Sequence, residues 1–234
     1  MDITGKKFVF KLQNYFLIVV ECKKTNNINS SMKHCFNIDY KFSHCLGIEN
    51  SDYPNVDEIY GEIFYSNYED APIRIGYIEL HFYNYSFIDY GFNLYDAFDR
   101  SMNTFNLGNA LFDYKSSELK PEIENEIGYG FNSNILVIHE IMLLPEHRCK
   151  GYGKEIILGI EEFFNGRCGY IALQSFPKQH DAGIVDIEEF KEFNLKELNS
   201  NYKQAQQDLD EFYSKCGFYK LKNQKESYFI KNIG

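Results

Sequence analysis

The most informative stretch of the chain is Leu144-Pro145-Glu146-His147-Arg148-Cys149-Lys150-Gly151-Tyr152-Gly153-Lys154. It follows an apolar run, Ile135-Leu136-Val137-Ile138, whose β-branched and aliphatic residues are typical of a strand. It leads into residues 154–164, where the spacing of apolar residues predicts a helix. The pattern Arg148-x-x-Gly151-x-Gly153 therefore lies where a strand turns into a helix. Backbone N–H groups at such a turn can hold a pyrophosphate, so the stretch predicts a phosphate-binding loop.

Two common nucleotide-binding loops do not fit this stretch. A Walker loop needs a hydroxyl after its Gly-Lys pair to bind Mg²⁺, but Glu155 follows Gly153-Lys154. A dinucleotide fingerprint has Gly-x-Gly-x-x-Gly early in a βαβ unit, whereas these glycines come late and the next one is Gly159. The plain structural alternative is an ordinary helix start with a glycine turn.

Composition narrows the class of protein. The chain has 234 residues, of which 44% are hydrophobic, enough for one sizeable core or two small ones. Its net charge is −10, and no cluster of Lys and Arg is present to displace counterions from a nucleic acid. The apolar stretch at residues 8–20 is interrupted by Lys11, Gln13 and Asn14, which argues against a membrane helix or a signal peptide. We predict a cytoplasmic protein that binds neither nucleic acid nor membrane, with some electrostatic preference for cationic small molecules.

The six cysteines form no Cys-x-x-Cys pair. The pairs His34-Cys35 and His44-Cys45 contain residue types that bind zinc. A structural zinc site usually has tighter spacing within each ligand pair, so buried thiols in a reducing cytosol are the favoured interpretation. We therefore predict no metal site.

Hydrophobic periodicity predicts a mixed order of elements. Strands are predicted at residues 8–10, 15–20, 58–65, 73–82, 135–143, 170–173 and 227–230. Helices are predicted at residues 94–112 with a break at 106–108, at 154–164, and at 190–215 as two helices split near 199–201. The polar stretch at residues 116–130 predicts a loop, and residues 68–72 predict a turn joining an antiparallel pair.

Two segments resemble the GNAT superfamily of N-acetyltransferases. Arg148-Cys149-Lys150-Gly151-Tyr152-Gly153 resembles the acyl-CoA loop of that family, Arg/Gln-x-x-Gly-x-Gly/Ala, and Leu143-Leu144-Pro145-Glu146 resembles the strand end before it. Downstream, Phe212-Tyr213-Ser214-Lys215-Cys216-Gly217-Phe218 resembles the family's Phe-Tyr-x-Lys-x-Gly-Phe. The resemblance is specific over residues 135–218, with both segments in the family's order.

The resemblance implies a fold, an activity and a donor site. The fold would be α/β (α+β), with a mostly antiparallel central sheet flanked by helices and an extended N-terminal half. One domain would span residues 1–234, with acceptor-side elements in 1–130 and an acetyl-CoA-binding core in 131–234. The activity would move acetyl from acetyl-CoA to a primary amine of a small molecule or protein lysine, by direct attack and without a metal. A homodimer is compatible with this. The implied acetyl-CoA-binding residues are Leu143, Leu144, Arg148, Cys149, Lys150, Gly151, Tyr152, Gly153 and Lys154.

Three residues are candidates for the proton transfers. Tyr213 matches the family tyrosine that often protonates the leaving thiolate, and a phenol with a pKa near ~10 is protonated at neutral pH. His139 and Glu140 lie on the strand that often supplies a general base. Because neighbouring strand residues face opposite sides, we expect at most one of them to point into the acceptor cleft. The alternatives are a core tyrosine and partners in core hydrogen bonds.

Two further features leave alternatives open, and so does the function as a whole. Gln174 and Gln206 could hold a water or contact the coenzyme. The acidic segment 181–199 predicts either a solvated helix face or a lid over a cationic acceptor. A non-catalytic acyl-CoA-binding module and a protein-interaction module are the rival functions.

Overall fold

A computed structural model of the protein describes residues 34–43, 55–67, 70–86, 94–183 and 187–234. The strands predicted at residues 8–10 and 15–20, and the His44-Cys45 pair, lie outside the described residues.

Nine strands and five α-helices are formed by the described residues. The strands are β1 (His34–Ser43), β2 (Val56–Asn67), β3 (Ile73–Tyr83), β4 (Phe112–Asp113), β5 (Glu118–Leu119), β6 (Ile135–Leu143), β7 (Tyr170–Gln174), β8 (Tyr219–Lys220) and β9 (Tyr228–Asn232). The helices are α1 (Leu94–Phe98), α2 (Met102–Leu111), α3 (Pro121–Ile127), α4 (Tyr152–Phe164) and α5 (Tyr202–Lys215).

The large sheet has the strand order β1-β2-β3-β6-β7-β9-β8 within the described chain. Only the β6–β7 pair is parallel there, and every other neighbouring pair in this sheet is antiparallel. The predicted class, a mixed α/β fold with a mostly antiparallel sheet flanked by helices, is confirmed.

Alternation along the strands builds a core on each face of the sheet. On one face, Ile78 and Leu80 of β3 belong to a core that includes Ile157 of α4. On the other face, Tyr83 stacks on Phe98 of α1 with ring centroids 4.1 Å apart. The helices therefore cover both faces of the sheet. The chain between the end of β6 and the start of α4 contains the glycine pattern.

The helix predicted at residues 94–112 breaks at a different place from the one expected. α2 begins after Ser101, whose side chain accepts from the Thr104 N–H while Thr104 bonds back to the Ser101 N–H. This capping box is a strong helix start. Gly108 instead lies inside α2. Glycine is needed there because a Cβ would be only 2.8 Å from Phe98. The expected break at residues 106–108 was wrong.

Two other local predictions were wrong. The expected loop at residues 116–130 contains β5 and α3, a helix that Pro121 opens at its first turn. In the segment 190–215 only α5 is α-helical, since the earlier part forms 3₁₀ turns around buried Phe193 and Leu195. Strand β1 was not predicted, although Phe36 and Ile38 alternate into the core.

Within the part of the chain that the structure describes, no helix has both the length and the apolar character needed to cross a bilayer.

Candidate functional site

The parallel strands β6 and β7 part in the middle of the sheet. Their pairing runs from Ile135–Tyr170 to Ile138–Leu173 and stops there. β6 continues to Leu143, while β7 turns away after Gln174. Beyond Ile138, the described residues therefore place no strand against the β7-facing edge of β6. Backbone N–H and C=O groups on such an edge are available to an extended ligand.

The edge of β6 leads directly into the glycine loop, residues 148–153. Gly151 has φ 85° and is the N-cap of α4, and no side chain caps that helix start. The first backbone N–H groups of α4 therefore have no side-chain partner. A Cβ built on Gly151 would meet no atom within 4 Å, so the space beside this residue is open.

The two sequence motifs meet in the structure. A Cβ on Gly153 would lie 3.1 Å from Cζ of Phe212, so α5 approaches the glycine loop closely at this point. Such an approach favours glycine because a larger residue would push the ring away. The segment 212–218 therefore packs against the glycine loop through Phe212.

Arg148 is directed to backbone carbonyls rather than to the space in front of the loop. Its Nε donates to the Leu143 carbonyl at 2.9 Å, and its guanidinium also donates to the Phe193 carbonyl. Burial lowers the pKa of Arg148. The exposed residues around the loop are instead Cys149, Lys150 and Lys154. Exposed positive charge at the loop thus comes from the two lysines, and the exposed carboxylate of Glu146 lies just before the loop.

A β-bulge in β6 changes the expected directions of His139 and Glu140. Glu79 of β3 pairs with Glu140, but the next pair is Leu80 with Ile138, so His139 is the extra residue. Directly opposed residues share a face of the sheet, which puts Glu140 on the side of Glu79. The His139 ring lies 3.8 Å from the His81 ring on that same side. The expectation that the two residues face opposite sides was wrong.

A polar cluster forms on this face, made of Glu79, His81, Arg100, His139 and Glu140. His81 Nε2 lies 3.2 Å from Glu79 Oε1, and Arg100 lies 3.3 Å from His81 Nδ1. Because a guanidinium only donates, His81 Nδ1 accepts and its Nε2–H donates to Glu79. This hydrogen bond from His81 lowers the pKa of Glu79.

Sequence reasoning missed Glu79, His81 and Arg100. The alternation Tyr77-x-Glu79-x-His81 on a predicted strand was the available signal, because it puts three polar side chains on one face. Tyr77 also donates to Glu79 Oε2 at 3.4 Å. The position of Arg100 beside them could not be read from spacing, because it lies in a different part of the chain.

His139 and Glu140 each leave a buried polar atom without a partner among the described residues. Burial is the main cause that lowers the pKa of His139 to about 3, so its ring is neutral at pH 7. Its Nε2 has no hydrogen-bond partner. Glu140 is 9% exposed, and its Oε1 accepts from Lys178 Nζ at 2.6 Å while Oε2 is unpartnered. Such orphaned atoms deserve a functional explanation.

Tyr213 lies on α5, against the core at the side of the glycine loop. Its ring packs against Phe212, Phe218 and Phe229, at centroid distances of 5.2, 6.0 and 5.7 Å. Burial raises the pKa of Tyr213, so the phenol keeps its proton at neutral pH. The packing alone also suits a core tyrosine.

The segment at residues 187–198, called the strap here, lies across the ends of β3 and β6. Phe193 and Leu195 form a small buried cluster with Met142 of β6. Arg74 of β3 donates to Glu192 at 2.8 Å. The acidic side chains Glu188 and Glu192 of the strap are exposed, while the strap covers the sheet beside Tyr77, whose ring is 6.2 Å from that of Phe190.

Gln206 belongs to a group of hydrogen-bonded side chains, called the clamp here, that joins α5 to the end of β7. Its Nε2 donates to the Ser175 carbonyl at 2.9 Å and to Asp210 at 2.8 Å. Asp210 also accepts from Ser175 Oγ at 2.6 Å and from Lys220 at 2.6 Å. Burial acts to raise the pKa of Asp210, but these hydrogen bonds hold it below its ordinary value. The clamp fixes α5 where β7 leaves β6.

No group of three or more His, Cys, Asp or Glu residues that could hold a metal occurs among the described residues. In the pair His34-Cys35, His34 Nε2 lies 3.2 Å from Glu155 and Cys35 Sγ lies 2.9 Å from the Ser66 hydroxyl. These side chains therefore have other partners.

Comparison with known proteins adds little to this geometry. No protein-family model matches the chain, and no curated protein does. Among solved structures, a crystal structure of a point mutant of KacT is similar, at 10% identity and a TM-score of 0.38. The likeness covers 75% of this chain and 71% of that one. A TM-score this low carries no argument, so the fold and the site rest on the geometry above.

Proposed function

We propose that the protein is an N-acetyltransferase that moves acetyl from acetyl-CoA to a primary amine. The observation that carries this proposal is the parting of β6 from β7 beyond Ile138, where an edge of β6 that has no partner strand among the described residues precedes an uncapped helix start at Gly151. The extent of the domain, cytoplasmic location and self-association stay predictions.

The residues present fit acetyl-CoA. The edge of β6 over residues 139–143 can pair with the amide groups of an extended pantetheine arm, as a sheet edge pairs with a peptide. The open N–H groups at the start of α4 suit a pyrophosphate, which the positive end of the helix dipole also favours. Lys150 and Lys154 are exposed beside them and add positive charge.

The chain's own groups match the proton transfers that the reaction needs. Acetyl-CoA supplies an activated acetyl thioester. Glu140 is the better of the two candidate bases, because its carboxylate already accepts a hydrogen bond from an ammonium, that of Lys178, whereas burial opposes protonation of His139. Backbone N–H groups on the edge of β6 can stabilise an oxyanion. Tyr213, which keeps its proton at neutral pH, can donate it to the leaving thiolate.

Calorimetry and thiol release test this proposal together. The full chain should bind CoA, and acetyl-CoA with a broad panel of primary amines should release free thiol above the rate without protein. The proposal fails if CoA does not bind and no amine increases thiol release.

A non-catalytic acyl-CoA-binding module is the second candidate. The observation in its favour is that Tyr213 packs among three phenylalanine rings, as a core residue does. Tyr213→Phe separates the two. An enzyme should lose about 100-fold in turnover with unchanged CoA affinity, the size expected for removing a general acid. A binding module shows no turnover before or after the change.

A further inference from the structure

A salt bridge spans the opening between β6 and β7. Glu140 lies on β6, just beyond Ile138, the last residue that pairs with β7. Lys178 begins the 3₁₀ turn Lys178–His180 that follows the end of β7. The Lys178 ammonium and Glu140 Oε1 are 2.6 Å apart. The two residues therefore lie on opposite sides of the opening, and their side chains join across it.

The surroundings of this bridge are suited to an ammonium group. Glu140 is nine-tenths buried, and its Oε2 has no hydrogen-bond partner among the described residues. Tyr77 and Glu79 lie on the same face of the sheet as Glu140. An ammonium carries three donors, so Lys178 occupies a place that any primary alkylammonium could take.

Resting on the proposed function, we infer that the Lys178 amine occupies the acceptor position and is itself acetylated when no other acceptor is present. It follows that external acceptors carry an unbranched primary alkylammonium, the group at the end of a lysine side chain. Lys178 then acts as an internal substrate that an external amine must displace.

The reaction balances without a further reactant. The Lys178 ammonium gives one proton to Glu140, which passes it to water, and the neutral amine attacks the acetyl carbonyl. The new N–C bond forms as the C–S bond breaks. The second proton passes from the nitrogen to the CoA thiolate, directly or through solvent, and CoA leaves as the thiol. The amide product has no charge, so the bridge to Glu140 is lost and the opening is freed for an external amine.

Mass spectrometry of the full chain tests the inference. The protein is incubated with acetyl-CoA and no amine, and acetylated lysines are then mapped by peptide. Lys178 should gain one acetyl group at least about tenfold faster than the exposed loop residues Lys150 and Lys154, because a positioned amine reacts faster than a solvated one. Lys178→Arg should keep the bridge and remove the modification.

Two variants show whether the site catalyses the modification. Gly151→Asp should stop acetylation of Lys178, because it places a negative charge in the glycine loop. Gly166→Asp is the matched control, since Gly166 also has positive φ and open space around its Cβ position but lies beyond the far end of α4. It should react as the wild type does. Thermal unfolding of each variant confirms that it is folded.

The outcomes separate this inference from the proposed function. If added amines are acetylated while Lys178 is not, the inference is overturned and the proposed function stands. Equal acetylation of Lys178 in Gly151→Asp would mean uncatalysed chemistry and would also overturn it. If CoA does not bind and no amine is acetylated, both fail.

Discussion

The glycine loop and the polar cluster lie close to the same strand, β6, but they are built differently. The loop uses backbone: a glycine with positive φ, uncapped N–H groups and a strand edge. The cluster uses side chains, whose contacts depend on one bulge at His139. A site made of backbone tolerates changes of side chain but not added charge or bulk. A site made of side chains responds to the loss of a single atom.

The largest effect is expected at Glu140. Glu140→Gln keeps the shape but cannot accept a proton, so turnover with an alkylamine should fall by about 100-fold or more. CoA affinity should be unchanged, because the glycine loop is untouched. Steady-state kinetics and calorimetry measure the two quantities separately.

Glu192→Gln is the control for this change, since Glu192 is a carboxylate on the strap paired with Arg74. It should keep most of the turnover. An equal loss in both variants would show that Glu140 has no special part in the reaction.

Gly151→Asp should act on the other region. A carboxylate beside the uncapped N–H groups repels a pyrophosphate, and CoA affinity should fall by about 30-fold, which corresponds to about 2 kcal/mol of repulsion between like charges. Gly151→Asn has the same shape without the charge and tolerates the same φ. It should retain most of the affinity. The assignment of the loop would be wrong if both variants bind CoA as the wild type does.

The low pKa of His139 makes the free energy of unfolding of the protein depend on pH. Its pKa is about 3 in the fold against 6.5 in the unfolded chain, so between these values the unfolded state binds the extra proton. The free energy of unfolding should therefore fall as the pH falls below 6.5, by about 1.4 kcal/mol per unit. His139→Gln should remove this part of the loss.

Urea denaturation at about pH 7 and about pH 5 measures this difference. His34→Gln, on β1 and outside the polar cluster, is the control and should keep most of the wild-type loss. An unchanged loss in His139→Gln would show that the ring is not held neutral.

The smallest effect is expected at Gly153. A methyl group there would be 3.1 Å from the Phe212 ring, so Gly153→Ala should lower the free energy of unfolding by about 1 kcal/mol, a typical cost of modest overpacking. Phe212→Leu in the same chain should relieve part of that cost. A double-mutant cycle by urea denaturation measures the coupling, and additive effects would contradict the contact.

The backbone-built region was largely predictable and the side-chain-built region was not. Glycine spacing between an apolar run and a helix is a local signal, so the loop and the strand before it follow from Arg148 to Gly153. The bulge at His139 depends on how β3 and β6 pair, which is a contact between distant segments. A helix was predicted from residue 190, whereas the strap forms 3₁₀ turns. Its acidic residues suggested an exposed segment, so the burial of Phe193 and Leu195 was not expected.

Hydrogen exchange with and without CoA measures where the donor binds. CoA should slow exchange of the backbone N–H groups at residues 139–143 of β6 and at residues 151–154, and should leave β1 and β2 unchanged. Binding of CoA without protection at either of these segments would contradict the placement of the donor site.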